Sequence, residues 1–439
     1  MRILIVSQYF PPEMGAPQAR LSELAQRLQD QGHRVRVLTA MPNYPSGRIF
    51  KGYRNRLFVS EDVDGIEVFR AWLHPSNSQH LMPRLWSYLT FAVTALLLGT
   101  WRLGRHDIAL VESPPLFLAP AGWCIARLVG ARSVLMVSDI WPDILVRMGK
   151  VRDGWPLRAM LALERWSYRH FDVVALTNPG AMHQIVARFP GTRTTVISNG
   201  VDTQAFRPDL RDEGVREQLG VDDGDFLLGY CGLHGMAQGL DAVVEAAARL
   251  DHRPDIKIMM IGDGPCKADL VRAATRRGLR NLEFCDRLPK REMPAIVASC
   301  DAVVVPLSVR LPGTMPSKVY EALAAGTPVI IARGCEGERL ILEHGVGAAF
   351  EPGDAEELAA AIVSLADDAE RRGRLRGDAR RIASRFDRGV IAARTAAMLE
   401  AVQAARADGV ALVVFSEMAV LGYLLGDAWE RTAFLRECE

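Results

Sequence analysis

The sequence predicts an α/β protein of two facing domains, each a doubly wound parallel sheet. Three observations predict it. Short apolar runs alternate with helical stretches from the first residues onward. That alternation restarts after a polar stretch, Asn199–Asp225. The chain, at 439 residues, is too long for one typical domain. Hydrophobic residues make up 49% and charged residues 24%, the balance of a packed globular chain and not of a disordered one.

The first series begins with Arg2–Ser7, an apolar run suited to a strand buried on both faces. A Pro/Gly loop follows, Gln8–Pro17. Leu21, Leu24, Ala25 and Leu28 then repeat at helical spacing, and Gly32 ends the helix. Arg34–Thr39, Asp107–Glu112, Ser133–Ser138, Val173–Thr177 and Thr194–Ser198 read as the following strands. The second series reads Phe226–Cys231, Lys257–Ile261, Leu282–Cys285, Ala302–Pro306 and Pro328–Ala332, with helical segments between. The expected domains are residues 1–200 and 201–385, followed by a helix over 386–408 and an atypical tail, 409–439. Ligands of open α/β sheets bind beyond the carboxyl ends of the strands, so two facing sheets predict an interdomain site.

Charge is unevenly spread. Residues 1–200 hold 23 Lys+Arg against 14 Asp+Glu, a net +9, so the remainder carries −8. The whole chain nearly balances, which disfavours a nucleic-acid binder. The basic half is expected to face something anionic. Within it, Leu85–Trp101 has no charge and lies between Arg84 and Arg102. A membrane span there would part strands that share one sheet. The segment is therefore either a core helix or a surface helix with Trp86, Tyr88 and Trp101 near lipid headgroups. The charge asymmetry favours the second, with Arg84, Arg102 and Arg105 each adding roughly 1 kcal/mol near anionic lipid.

The seven cysteines are scattered, with no C-x-x-C pair, as in a reducing compartment. The first apolar run is too short for a signal peptide, so the expected location is cytoplasmic, peripheral on the inner face of the cell membrane.

Several turns are candidates for chemistry. Gly15 follows the first strand and precedes a helix, where backbone amides and the helix dipole favour an anion. A G-x-G-x-x-G fingerprint is absent from that turn, which disfavours a dinucleotide. Gly229–Gly239 is richer: Gly232 and Gly235 follow a strand, with a helix expected near Gln238, and their amides suit a diphosphate. His234 in this loop is either structural or a phosphate or sugar contact. Gly262, Asp263 and Gly264 end the next strand, with Asp263 read chiefly as a turn former.

Pro316 and Ser317 look like a helix start, and Gly326 like its stop. Lys318 then falls in the first turn, where the helix dipole opposes a cation. Glu321 shares its face. The two are either a plain surface pair, or a phosphate-neutralising lysine beside a glutamate that accepts sugar or ribose hydroxyls. Asp139, in Asp139–Asp143, is placed to orient or deprotonate an acceptor hydroxyl. No His/Cys/carboxylate cluster points to a metal, and no G-x-S-x-G elbow is present. No cofactor is expected; a nucleotide-diphosphate sugar would be substrate.

In order, SQYFPPEMGAPQAR, GHRVRVLTAMPNYPSGR, VESPPL, SDIWPD, SNGVDTQAF, GLHGMAQGLDAVVEAA, IGDGP and PSKVYEALAAGTPVI resemble the retaining glycosyltransferases of family 4. The match covers about residues 1–400 and is nearest the bacterial branch that builds O-antigen, capsule or colanic-acid polysaccharides. The resemblance implies the GT-B fold, a nucleotide-sugar donor held by the second domain, and acceptors that are often polyprenyl-diphosphate-linked sugars or glycans. It implies that Gly232 and Gly235 lie near the diphosphate, that Lys318 binds phosphate, and that Glu321 contacts ribose. It puts Glu13, Gly15 and Asp139 on the acceptor and catalytic side. The candidate catalytic residues are thus Asp139, Lys318 and Glu13. The donor-binding set is Gly15, Gly232, His234, Gly235, Asp263, Gly264, Lys318 and Glu321, with no metal ligand. One departure stands out: Gly313 occupies the place of the first glutamate of the family's E-x7-E pattern.

Two other readings share the architecture, a sugar-nucleotide 2-epimerase and a non-catalytic sugar-nucleotide-binding subunit of a membrane assembly. Gly409–Glu439 resembles a fragment of the nitrilase superfamily, near the amidase part of glutamine-dependent NAD synthetase, with Glu417 at that family's catalytic glutamate. Its partner lysine and cysteine segments are missing. The tail is expected to be a fusion or frame artefact without hydrolase activity.

Overall fold

The structure is a computed structural model that describes residues 1–407 except Asn77, Gln79, His80 and Lys150. The nitrilase-like tail lies outside the described residues.

The first half runs β1 (Arg2–Val6), α1 (Ala16–Asp30), β2 (Arg34–Ala40), β3 (Phe58–Val63), β4 (Ile66–Ala71) and α2 (Leu81–Thr94). A π-helical turn, Ala95–Gly99, carries α2 into α3 (Thr100–Leu103). Then come β5 (Ile108–Ser113), α4 (Leu118–Leu128), β6 (Arg132–Val137), α5 (Asp143–Arg147), α6 (Trp155–His170), β7 (Val173–Leu176), α7 (Pro179–Arg188) and β8 (Thr194–Val196). The second half runs α8 (Glu213–Gln218), β9 (Phe226–Cys231), α9 (Asp241–Arg249), β10 (Ile256–Ile261), α10 (Lys267–Arg277), β11 (Leu282–Cys285), α11 (Met293–Ser299), β12 (Ala302–Val305) and α12 (Ser317–Ala324). It ends with β13 (Val329–Ala332), α13 (Glu336–Glu343), β14 (Gly347–Phe350), α14 (Ala355–Ala366), α15 (Ala369–Ala383) and α16 (Arg388–Ala407).

Two sheets form, of eight strands (β3-β4-β2-β1-β5-β6-β7-β8) and six (β11-β10-β9-β12-β13-β14). Every pairing is parallel except the β3–β4 hairpin. The expected pair of doubly wound domains is therefore present. The strands are continuous apolar runs because helices cover both faces, as β9 shows with all six residues buried.

Three strands escaped the sequence reading. β3 and β4 join through Asp64 and Gly65, both left-handed (φ 51° and 80°), the signature of a tight two-residue hairpin turn. β14 is a short edge strand. The helix expected near Gln238 begins instead at Asp241, after a 3₁₀ turn over Met236–Gln238.

The last helix returns to the first domain. Ala392, Ala396, Leu399 and Val402 of α16 are buried in one core with Ile3, Ile5, Leu21 and Leu28. An Arg388–Glu23 ion pair at 2.5 Å ties its start to α1. The opposite face of that sheet is covered by α2, α4, α6 and α7, which share a core with the strands.

Candidate functional site

Each sheet has one point where the strand order reverses. In the second domain β9 neighbours β12 there, and in the first β1 neighbours β5. Crevices at such points are where ligands of α/β sheets bind. Gly232 follows β9 and α12 follows β12, so the two segments richest in candidates flank one crevice.

Lys318 sits in the first turn of α12, as expected. It is half-buried, and its ammonium lies 5.1 Å from the centre of the Tyr230 ring. It also lies against Gly232: a Cβ there would collide with Lys318 Cε and come within 2.7 Å of Nζ. Gly232 has φ 150°, a backbone that side chains rarely adopt. Among the described residues no carboxylate stands within ion-pair distance of Lys318, so the plain surface pair with Glu321 is not formed. Burial lowers the Lys318 pKa, and Glu321 and Cys231 pull it back up only in part. The Glu321 carboxyl is raised by burial, with Lys318 opposing. A half-buried, unpaired cation above a bare glycine lacks an anion.

His234 is packed inside the loop. It is 0% exposed, ringed by Tyr230 and Phe284 at 5.6 and 6.3 Å, and neither ring nitrogen has a partner. Burial lowers its pKa, with Lys267 adding to the effect. As placed, its ring is enclosed by protein. Its backbone binds the neighbouring turn instead, with its N–H donating to Asp263 O at 2.9 Å and its O accepting from Cys266 N at 2.9 Å. Asp263 is exposed and accepts from the Gly264 N–H at 2.7 Å, in keeping with the turn reading. Gly262 and Gly264 have room for no side chain because Gly232 and His234 backbone fills it. Gly235 is buried at the start of the 3₁₀ turn.

The first-domain rim is denser. Glu13, expected to be catalytic, is buried at 4% exposure. One carboxylate oxygen accepts from the N–H groups of Asn43 and Tyr44 at 2.7 and 2.8 Å, and the other from Gln18 at 3.2 Å. Burial raises its pKa, and these bonds hold it down. Glu13 therefore fastens the β1–α1 loop to the loop after β2. Arg70, fully buried on β4, secures the same loop by donating to Pro11 O. Gly15 is exposed at the start of α1.

Asp139 lies one residue beyond a cluster that sequence reasoning missed. Arg20 donates to Glu112 at 2.5 Å and to Ser138 at 2.9 Å, and Ser138 donates to Glu112 at 2.6 Å. The second Glu112 oxygen is buried without a partner. Burial raises the pKa of both Glu112 and Asp139, and Arg20 pulls each back. A charged residue closing a buried apolar run, as Glu112 closes Ile-Ala-Leu-Val, was the available signal.

The domains also touch. Asn178 caps α7 through Ala181 N at 2.8 Å and donates to Gly313 O at 2.7 Å. Gly313 has φ 75°, and a Cβ there would lie 3.2 Å from Ala181 Cα. Position 313 is a left-handed contact point between domains, which accounts for a glycine where the family pattern has glutamate. Across the crevice, Arg287 reaches Met14 at 4.0 Å.

Two facing Rossmann-like sheets with an anion-seeking crevice define a GT-B architecture. Residues 15–200 match the family described as Glycosyl transferase 4-like domain, and residues 212–382 match Glycosyl transferases group 1. The chain is a glycosyltransferase built from these two domains in tandem. It is 29% identical over 373 residues to the putative colanic acid biosynthesis glycosyl transferase WcaI of Escherichia coli (strain K12), covering 82% of this chain and 91% of that protein. It is 26% identical over 314 residues to the probable glycosyltransferase WbjE of Pseudomonas aeruginosa, covering 70% and 78%. Among solved structures, sucrose-phosphate synthase from Thermosynechococcus elongatus has a TM-score of 0.74 at 17% identity, covering 92% of this chain and 99% of that one. Anabaena HepE in complex with UDP-glucose has a TM-score of 0.68 at 22% identity, covering 91% and 100%. These structural likenesses carry the fold.

Proposed function

We propose that the protein moves a hexose or amino-sugar, with retention at the anomeric carbon, from a nucleotide-diphosphate sugar to a hydroxyl of a lipid-linked (polyprenyl-diphosphate) or glycan acceptor in cell-surface polysaccharide synthesis. The observation that carries this reading is the unpaired, half-buried Lys318 ammonium against Gly232. In the reaction the bond between C1 and the diphosphate oxygen breaks, and a bond from C1 to the acceptor oxygen forms. Negative charge grows on the leaving diphosphate. Lys318 and the amides around Gly232 and Gly235 meet that charge, and fixed donors aimed at developing charge are usually the largest catalytic contribution. In this reading the chemistry needs no metal. Glu321 accepts from ribose. Asp139, with its raised pKa, orients the acceptor hydroxyl and helps move its proton. The name of the WcaI relative and the UDP-glucose complex of the HepE neighbour support polysaccharide synthesis and a nucleotide-sugar donor. We place the activity in the cytoplasm at the inner face of the cell membrane.

The test begins with nucleotide sugars screened for thermal stabilisation. The hit is then incubated with a polyprenyl-diphosphate sugar, with and without EDTA. The anomeric configuration of the product is read by NMR. Transfer that survives EDTA and keeps the donor configuration is expected. Conversion of the donor to its 2-epimer without acceptor would establish the isomerase instead, and tight binding without transfer to any acceptor would establish a binding subunit.

A further inference from the structure

The outer face of α2, α4 and α6 has a composition that the transferase chemistry does not use. Met82, Trp86, Leu89, Val93, Leu97 and Trp101 are all exposed, from 43% at Leu89 to 90% at Trp101. Their spacing keeps them on one side of the continuous helix formed by α2, the π-helical turn and α3. The other side is buried, through Phe91, Ala92, Ala95 and Leu103. Tyr88, expected beside the headgroups, is on that inner side at 5% exposure, with its ring 6.3 Å from Trp141. Trp141 is two residues beyond Asp139, so the inner side of this helix packs against the loop that carries Asp139. Among the described residues no helix is long and apolar enough to cross a membrane. A row of six exposed apolar side chains is far more than the scattered singles of an ordinary surface.

The charges on this face have one sign. The helices α2, α3, α4 and α6 carry Arg84, Arg102, Arg127, Arg158, Arg165 and Arg169, against a single acid, Glu164. Glu164 is fully buried and already paired with Arg188 at 2.8 Å. At the far end of α6, a cavity of about 340 Å³ is lined by Arg165, Arg169, Arg188, Arg193 and His170. Among the described residues, Arg165, Arg169 and Arg193 have no partner for their guanidinium groups. The one acid lining the cavity, Asp172, is held by Arg132 at 2.6 Å. Helix α4 bridges the stripe and the cavity, since Trp123 packs against Trp166 at 5.7 Å and donates to His170 O at 3.0 Å.

We infer that this face docks on an anionic bilayer: the stripe lies among the acyl chains at the interface, and the arginine-lined cavity takes a lipid phosphate headgroup. Apolar side chains flanked by arginines, with interfacial tryptophans, are what such a surface requires. The stripe then holds the crevice at the membrane, with Trp141 and Asp139 near its mouth. This deepens the reading of a lipid-linked acceptor, but it stands on the surface itself. The test therefore uses neither donor nor acceptor, and its failure leaves the transferase reading untouched.

The full chain is mixed with vesicles of phosphatidylcholine alone, or with 30 mol% phosphatidylglycerol added. Sedimentation and tryptophan emission are then measured. Binding to the anionic vesicles only, with a blue shift, is expected. Trp86→Glu with Leu97→Glu should remove the binding and the shift. Arg165→Glu with Arg169→Glu should weaken binding at least tenfold at 0.15 M salt. All four positions are exposed, and an unchanged melting temperature checks the fold of each variant. A wild type that stays free of anionic vesicles overturns the proposal, as do variants that bind like it. A stripe variant that turns a dimer into a monomer while vesicle binding persists assigns the stripe to a second copy, and overturns it too. Arginine variants that keep full vesicle binding while losing inorganic phosphate binding assign the cavity to a free anion, and overturn the headgroup part.

Discussion

The two rims of the crevice are built in opposite ways. On the second-domain rim, closely packed glycines surround one half-buried lysine, and the lysine has no carboxylate within ion-pair distance. On the first-domain rim, buried Glu13, Glu112 and Arg70 and half-buried Arg20 and Ser138 are bonded to one another or to backbone. The bare rim is incomplete without an anion. The crowded rim already bonds most of its charged groups internally, the second Glu112 oxygen excepted, and works by holding loops still. A substitution on the bare rim should therefore cost activity with little stability, and one on the crowded rim should cost stability first.

The largest effect is expected at Lys318. Lys318→Ala should lower kcat/KM about 100-fold, or about 2.7 kcal/mol, with an unchanged melting temperature. The lowered pKa adds a signature. The ammonium form is lost as pH rises, so activity should fall on the alkaline side below the pH at which an ordinary lysine titrates. Lys318→Arg should retain part of the rate and move that limb upward, since a guanidinium does not titrate there. A pH–rate profile for the three proteins checks both points. Loss of stability in Lys318→Ala would contradict the division of labour between the rims.

Next in size is Asp139→Asn, for which steady-state kinetics should show kcat reduced about 30-fold with a nearly unchanged donor KM. Asp139 is the exception on its rim, because it follows the bonded cluster without belonging to it. Gly232→Ala should cost about tenfold in kcat/KM, because the new methyl group displaces the Lys318 ammonium while the backbone is held at an unfavourable φ. Equal losses in Gly232→Ala and in a remote glycine variant would remove the special place of that contact.

The contrast between the rims also explains what could be read from the sequence. The β1–α1 and β9–α9 units, the Lys318 turn and the two-domain division are local patterns: a buried run, a Pro at a helix start, a glycine after a strand. The surroundings of Glu13 and His234 were not legible, because their letters carry chemistry but their burial is decided by segments far along the chain. Glu13 depends on Asn43 and Tyr44, and His234 on Phe284 and Gly264. The Arg20–Glu112–Ser138 cluster was hidden for the same reason, since its members lie 92 and 26 positions apart. The β3–β4 hairpin was legible, because Asp64-Gly65 between apolar residues is a turn signal that was passed over.

Glu13→Ala tests the crowded rim. It leaves the N–H groups of Asn43 and Tyr44 without their acceptor, the first of them buried. The expected cost is about 2 kcal/mol of stability, seen as a melting temperature several degrees lower. Donor binding, measured by calorimetry, should be unchanged because the donor rests on the other rim. Weakened donor binding at full stability would mean that Glu13 reaches the ligand after all.

The smallest effect, and the one that isolates burial from catalysis, is at Glu164. It is buried beside Arg188, and burial raises its pKa to about 7. A carboxyl whose pKa is higher folded than unfolded binds its proton more tightly in the folded state. Its contribution to stability is complete below the unfolded value, near 4.5, and is lost as pH rises through about 7. Glu164→Gln has no proton to lose. Between pH 5 and pH 8 the wild type should therefore lose melting temperature relative to Glu164→Gln by a few degrees, while transfer rates at pH 7 stay alike. Parallel melting curves across that range would place the Glu164 carboxylate in an environment that accepts its charge, and Arg188 would then be a full partner in a settled ion pair.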